Sequence, residues 1–106
     1  MFEMTVDNHC ENGKIRIAIS GEIDISTAAE FKTRLYELIG DGKKDIELIC
    51  DKLTYIDSTG LGILVGALKR VKNHQNNVYI YHLRDNIRKL FRITGLDKVF
   101  VLEEAV

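Results

Sequence analysis

The stretch that decides the fold is Leu53–Lys72, LTYIDSTGLGILVGALKRVK, in which a short polar break, Asp57-Ser58-Thr59-Gly60, opens into the most apolar run of the chain. Leu61, Leu64, Val65, Leu68 and Val71 recur at three- and four-residue spacing, so the segment is expected to be a helix with one apolar face. Ser58 stands where an N-cap belongs, because a hydroxyl there accepts a hydrogen bond from the first unpaired backbone N–H groups; Asp57 is able to do the same. Lys69, Arg70 and Lys72 crowd the last turn, where cations suit the negative end of a helix. The pattern predicts about fourteen helical residues, roughly 20 Å in length. Gly60 and Gly62 fall in the first turn, although glycine costs about 1 kcal/mol against alanine inside a helix. Having no side chain, they let a large group or another protein's surface come close to the backbone.

Upstream, Phe2–His9 alternates weakly as a first strand, and the turn signal Glu11-Asn12-Gly13 pairs it antiparallel with the next segment. Lys14–Ser20 alternates cleanly, with Ile15, Ile17 and Ile19 on one face and Lys14, Arg16 and Ala18 on the other, and ends at Gly21-Glu22-Ile23-Asp24. Thr27 and Glu30 have capping-box spacing before a helix that carries Ala28, Phe31, Leu35, Leu38 and Ile39 on one side and stops at Gly40-Asp41-Gly42. Asp45–Cys50 is the next strand, with Ile46, Leu48 and Cys50 alternating against Asp45, Glu47 and Ile49, and Leu53–Ile56 leads from it to the central helix.

Downstream, Asn73–Asn77 is a polar connection and Val78–Leu83 a further strand. A third helix with Ile87, Leu90 and Phe91 ends at Gly95; Val99–Leu102 is a short last strand, followed by a frayed end or the stub of one more helical turn. Strands and helices alternate from the second strand on, which implies a largely parallel sheet with right-handed crossovers. The strands alternate in polarity, whereas a sheet covered on both faces reads apolar throughout. The expected fold is therefore a two-layer α/β domain spanning residues 1–106, a mixed, mostly parallel sheet of about five strands with helices packed mainly on one face. Ligands of open α/β sheets gather outside the carboxyl ends of the strands, so Gly21–Ser26, Tyr55–Gly60 and Leu83–Asn86 are expected to meet there.

At 106 residues the chain is long enough for one core without staples. Its net charge of −1, with both signs interspersed, lacks the basic field that nucleic acid or an anionic membrane calls for. The N-terminus has no signal-peptide pattern and no apolar run approaches a membrane span, so a soluble, cytoplasmic protein with neither nucleic-acid nor membrane partners is expected. Cys10 and Cys50 have no C-x-x-C pairing, which argues against metal or redox use and makes Cys50 a small core residue.

Asp57-Ser58-Thr59-Gly60-Leu61-Gly62, preceded by Leu53 and Ile56 and followed by the apolar helix, resembles the signature of STAS-domain anti-sigma factor antagonists. Gly21-Glu22-Ile23-Asp24 looks like the family's other recurring patch, and the order of elements fits the family's fold. The chain departs from many relatives in stopping soon after Leu102, where they carry a full final helix. The resemblance implies a partner-switching protein that is not an enzyme and uses no cofactor. It implies that Ser58 is phosphorylated by a cognate anti-sigma factor that is also a serine kinase using ATP, and that a PP2C-type phosphatase removes the phosphate. Unmodified, such a protein binds its anti-sigma factor and releases the sigma factor for transcription. The partner-binding residues so implied are Gly21, Asp24, Asp57, Ser58, Thr59, Gly60, Leu61 and Gly62; Ile63, off the main apolar stripe, extends the surface.

Other readings of the same residues carry less. For an arbitrary sequence Ser58 would be an N-cap and nothing more, and Asp24 is as well explained by a turn as by a partner contact. A receiver-domain reading of Asp57 needs an acidic cluster for Mg²⁺ and a late lysine, for which Glu22 and Asp24 fall in the wrong element order. A hydrolase elbow needs G-x-S-x-G, and Ile56 stands where its first glycine belongs. The main alternative shares the fold: a STAS-like module that binds a small ligand, or a cytoplasmic subunit of a membrane transport complex.

Overall fold

The structure, a computed structural model, describes residues 1–7 and 13–103. The elements are β1 (Phe2–Asp7), β2 (Lys14–Ile23), α1 (Ala28–Ile39), β3 (Asp45–Ile56), α2 (Ser58–Lys72), β4 (Val78–Tyr81), α3 (Asp85–Ile93), a 3-10 helix (Leu96–Lys98) and β5 (Val101–Glu103). The turn expected at Glu11-Asn12-Gly13 lies largely outside the described residues, as does the chain after Glu103. β1 pairs antiparallel with β2, and the remaining neighbours are parallel, in the spatial order β1-β2-β3-β4-β5. Each new parallel strand is thus added on the same side, and right-handed crossovers then put every helix on one face of the sheet.

The alternation in the sequence sets which face that is. Ile17, Ile19, Ile46, Leu48, Val78 and Ile80 are all at most 2% exposed beneath Phe31 and Leu35 of α1, Leu64 and Val71 of α2 and Phe91 of α3. On the other face Arg16, Ala18, Tyr79 and Tyr81 are half-buried. Glu47 is the exception there, at 5% exposed. Its carboxylate accepts hydrogen bonds from Arg16 Nε at 3.1 Å and the Tyr81 hydroxyl at 3.1 Å, with Lys14 Nζ 3.9 Å away, so the buried carboxylate is met by two cations and a neutral hydroxyl donor.

β3 runs six residues past the expected end at Cys50, and the reason is in its register. Between Ala18 and Ser20 β2 advances two residues while β3 advances three, and between Gly21 and Glu22 β2 advances one while β3 advances two. Each extra residue is a bulge that resets the inside-outside phase. Cys50, Leu53 and Ile56, three apart, consequently all face the core at 2–4% exposure.

Two expected ends shift. β4 stops at Tyr81, short of the expected Leu83, because His82 adopts a left-handed φ of 63° while its N–H still reaches Glu103 O at 3.1 Å. The last strand starts two residues late, since Leu96–Lys98 forms the 3-10 turn whose Leu96 carbonyl accepts from Val99 and Phe100.

Candidate functional site

The rim begins where β2 and β3 end together, with Ile23 opposite Ile56. The next N–H along, that of Asp57, donates to Ile23 O at 3.2 Å, so strand pairing continues to the residue that starts α2. Asp57 is extended, and its Oδ1 accepts from Gly60 N at 3.1 Å while its carbonyl accepts from Leu61 N at 2.9 Å. Asp57 is therefore the N-cap, which corrects the placement of Ser58 in that role: the shorter serine is the first residue of the helix and is exposed. Among the described residues its hydroxyl is held by no hydrogen bond. Thr59 is exposed beside it.

The two glycines of the first turn have different reasons. Gly60 is buried; a Cβ there would stand 2.6 Å from Ile56 Cγ1 and 2.9 Å from Ile23 Cγ2, so the helix start is seated on the two strand ends. Gly62 is exposed, and among the described residues a Cβ there would meet nothing within 4 Å. Leu61 is 5% and Ile63 8% exposed. Ile63 is thus not the outward-facing residue the spacing suggested. α1 packs beside α2, with the Tyr36 hydroxyl donating to Ile63 O at 2.9 Å, and this widens the buried arc of α2 beyond the sheet-facing stripe.

The second loop of the rim is tied by Asp24. Its Oδ1 accepts from Ser26 Oγ at 2.6 Å, Ser26 N at 2.9 Å and Thr27 N at 3.2 Å, and these bonds, the Ser26 hydroxyl first, hold the carboxyl below its ordinary range. Thr27 Oγ1 in turn accepts from Asp24 N at 3.0 Å. The capping box expected between Thr27 and Glu30 is absent, because the threonine hydroxyl is spent on this turn. Gly21, at φ 90°, is required locally: a Cβ would collide with the Met1 carbonyl, which accepts from Glu22 N. Thr54 Oγ1 donates to Gly21 O at 3.0 Å, joining the two loops. The third expected loop lies elsewhere; Arg84 Nε donates to Asp51 O, because β4 ends against Ile49 while β3 runs on to Ile56.

Two residues of this rim were not singled out from the sequence. Ile25, at the tip of the Asp24 turn, is 81% exposed, and Tyr55, one residue before the strand end, is 46% exposed. A large apolar residue inside a polar turn was the available signal for Ile25; Tyr55 became visible only once the bulges of β3 set its face. The rim segments 21–26 and 55–60 contain Glu22, Asp24 and Asp57 and no lysine or arginine. The site is thus a free serine hydroxyl at a helix start, set among carboxylates and two exposed apolar side chains. Among the described residues there is no cluster of three or more ligating side chains that could hold a metal.

A family model described as the STAS domain matches residues 2–106. The chain belongs to the STAS family. This STAS domain is 32% identical over 103 residues to an anti-sigma-B factor antagonist of Staphylococcus aureus (strain NCTC 8325 / PS 47), covering 97% of this chain and 95% of the relative. Its fold matches the crystal structure of an anti-sigma factor antagonist from Mycobacterium paratuberculosis with a TM-score of 0.82 at 24% identity, over 100% of this chain and 88% of that one. SpoIIAA has the same fold in both of its forms. The unphosphorylated structure gives a TM-score of 0.75 at 16% identity, over 98% of this chain and 90% of that one. The phosphorylated Bacillus structure gives 0.74 at 18%, over 98% and 92%.

Proposed function

We propose that this STAS domain is an anti-sigma factor antagonist whose rim around Ser58 is the docking surface for its cognate anti-sigma factor. Unmodified, the protein binds that partner and frees the sigma factor. The partner, acting as a serine kinase, phosphorylates Ser58 and ends the interaction; a PP2C-type phosphatase restores it. The protein acts by binding, in the cytoplasm where sigma factors meet RNA polymerase.

The observation that carries this reading is that Asp57 caps α2 and leaves the Ser58 hydroxyl exposed, with no hydrogen-bond partner among the described residues. The near full-length likeness to an antagonist favours it over a ligand-binding or transport module. A phosphoserine carries about −1.5 to −2 charges. At a helix start it gains roughly 0.3–2 kcal/mol from the dipole and unpaired N–H groups, offset in part by Asp57, Asp24 and Glu22. That balance is small beside a domain stability of about 5–15 kcal/mol, and SpoIIAA keeps one fold in both states. In a docked interface the same charge has no cation of the rim to pair with, and burying it costs several kcal/mol. The switch therefore acts on docking and leaves the fold intact. The affinities of Ser58→Ala and Ser58→Asp for the anti-sigma factor test this: the aspartate should bind at least about a hundredfold more weakly, roughly 2.8 kcal/mol, and equal affinities would overturn it.

A further inference from the structure

We propose that the groove between the C-terminal half of α2 and the 3-10 helix docks an amphipathic helical segment of another protein, apolar on one face and acidic along its flank, irrespective of the state of Ser58. Val65, Leu68, Lys69 and Lys72 stand at i, i+3, i+4 and i+7 along one edge of the core-facing stripe of α2, and Leu68, at 6% exposed, also belongs to the core. With Leu96 and Val99 opposite, they line an open groove of about 710 Å³. Val99 is 46% exposed, and Val65 and Leu96 are half-buried, so the apolar floor is wet. The walls are built in advance. The Val99 and Phe100 N–H groups donate to Leu96 O at 3.1 and 3.0 Å, and the Phe100 ring stands edge-on to Phe91 with centroids 5.6 Å apart. A preformed apolar channel beside a helix suits the helix-in-groove mode of recognition.

Charge selects the occupant. Cations suit a helix C-terminus in any protein; Arg70 is engaged with α1, where it reaches Gly40 O at that helix's C-cap at 3.2 Å and lies over the Tyr36 ring at 4.7 Å. Lys69 and Lys72 stay on the groove side. Lys72 Nζ donates to Asn77 Oδ1, and among the described residues no carboxylate pairs with either lysine. Two lysines flanking an apolar floor complement a helix with glutamate or aspartate beside its apolar stripe. They are too few for an anionic membrane, where clusters of about four to eight basic residues are the rule. Ser58 and Lys72 are opposite ends of a helix of 15 residues, roughly 20 Å apart, so a partner in the groove and a partner on the rim need not collide.

The probe is a synthetic helical peptide with leucines at i, i+4 and i+7 and flanking glutamates, titrated into the full chain by NMR beside a version with lysine flanks. Saturable shifts at Val65, Leu68, Lys69, Leu96 and Val99, absent from residues 58–62, are expected, with the lysine peptide at least about tenfold weaker. Lys69→Glu combined with Lys72→Glu should reverse that preference, a gain of binding that misfolding cannot imitate, and Ser58→Asp should leave affinity within about twofold. Equal binding of the two peptides, shifts centred on the rim, or loss of binding in Ser58→Asp would overturn the proposal. So would the same residues responding to the chain's own concentration, which would make the groove a self-association face, or to phosphatidylglycerol vesicles, which would make it a membrane contact.

Discussion

The Asp57 carboxylate accepts the Gly60 N–H at 3.1 Å, and this one bond separates capping from switching at the start of α2. Asp57→Ala is expected to cost about 1 kcal/mol of stability, the usual worth of an N-cap. Ser58→Ala, at an exposed first helical position, should stay within about 0.5 kcal/mol of the parent. Urea melts compare the two; a larger loss from the serine would return the cap to Ser58.

Gly60→Ala and Gly62→Ala should act in opposite directions although both add one methyl to the same turn. The Gly60 methyl meets Ile56 and Ile23 at 2.6 and 2.9 Å, and overpacking of this kind costs about 1–3 kcal/mol. The Gly62 methyl meets nothing within 4 Å among the described residues, so the helix should gain up to about 1 kcal/mol while the partner loses close access. Thermal melts together with anti-sigma factor binding would show the second variant more stable and more weakly bound.

Cys50 is 2% exposed, and burial, with a smaller contribution from the Asp51 charge, pushes its thiol up to about 12. In a Cys10→Ser background a thiol reagent at pH 8 should label native protein only as fast as it unfolds. The raised value also makes folding stability fall with rising pH. Above the ordinary value of 9.0 the unfolded chain releases a proton that the folded chain keeps, and the loss grows until the folded thiol ionises near 12. Prompt labelling of the folded protein would contradict this.

Asp24 should titrate below the ordinary 3.8, because the Ser26 hydroxyl and the Ser26 and Thr27 N–H groups favour its charged form. A depressed carboxylate contributes stability that is present above its unfolded value and is lost as pH falls through its folded one. NMR titration of the Asp24 carboxyl should give a higher value in Ser26→Ala than in the parent; an unchanged value would assign the depression elsewhere.

The parts of this fold that were legible in the sequence are those governed by local periodicity. Ile17 and Ile19, and Ile46 and Leu48, face the core as their alternation required, and the antiparallel pairing of the first two strands and parallel pairing of the rest follow from the order of elements. What was not legible depends on partners distant in sequence. The bulges of β3 arise from its pairing with β2, and they alone explain why Lys52 and Tyr55 lie outside while Leu53 and Ile56 lie inside. Ile63 is covered because α1 arrives beside α2, which no periodicity within α2 encodes. At the site, Asp57 and Ser58 were both visible as possible caps; the choice needed the backbone, which gives Asp57 the extended conformation and the reach to Gly60.

Intact mass and phosphopeptide mapping of the protein after incubation with ATP and its cognate anti-sigma factor, with Ser58→Ala alongside, test the Ser58 switch most directly. A single phosphate on Ser58, none on the variant, and release of the modified protein from the partner are expected. Phosphate on Thr59 or another residue, or a Ser58-phosphorylated protein that still binds with unmodified affinity, would contradict it.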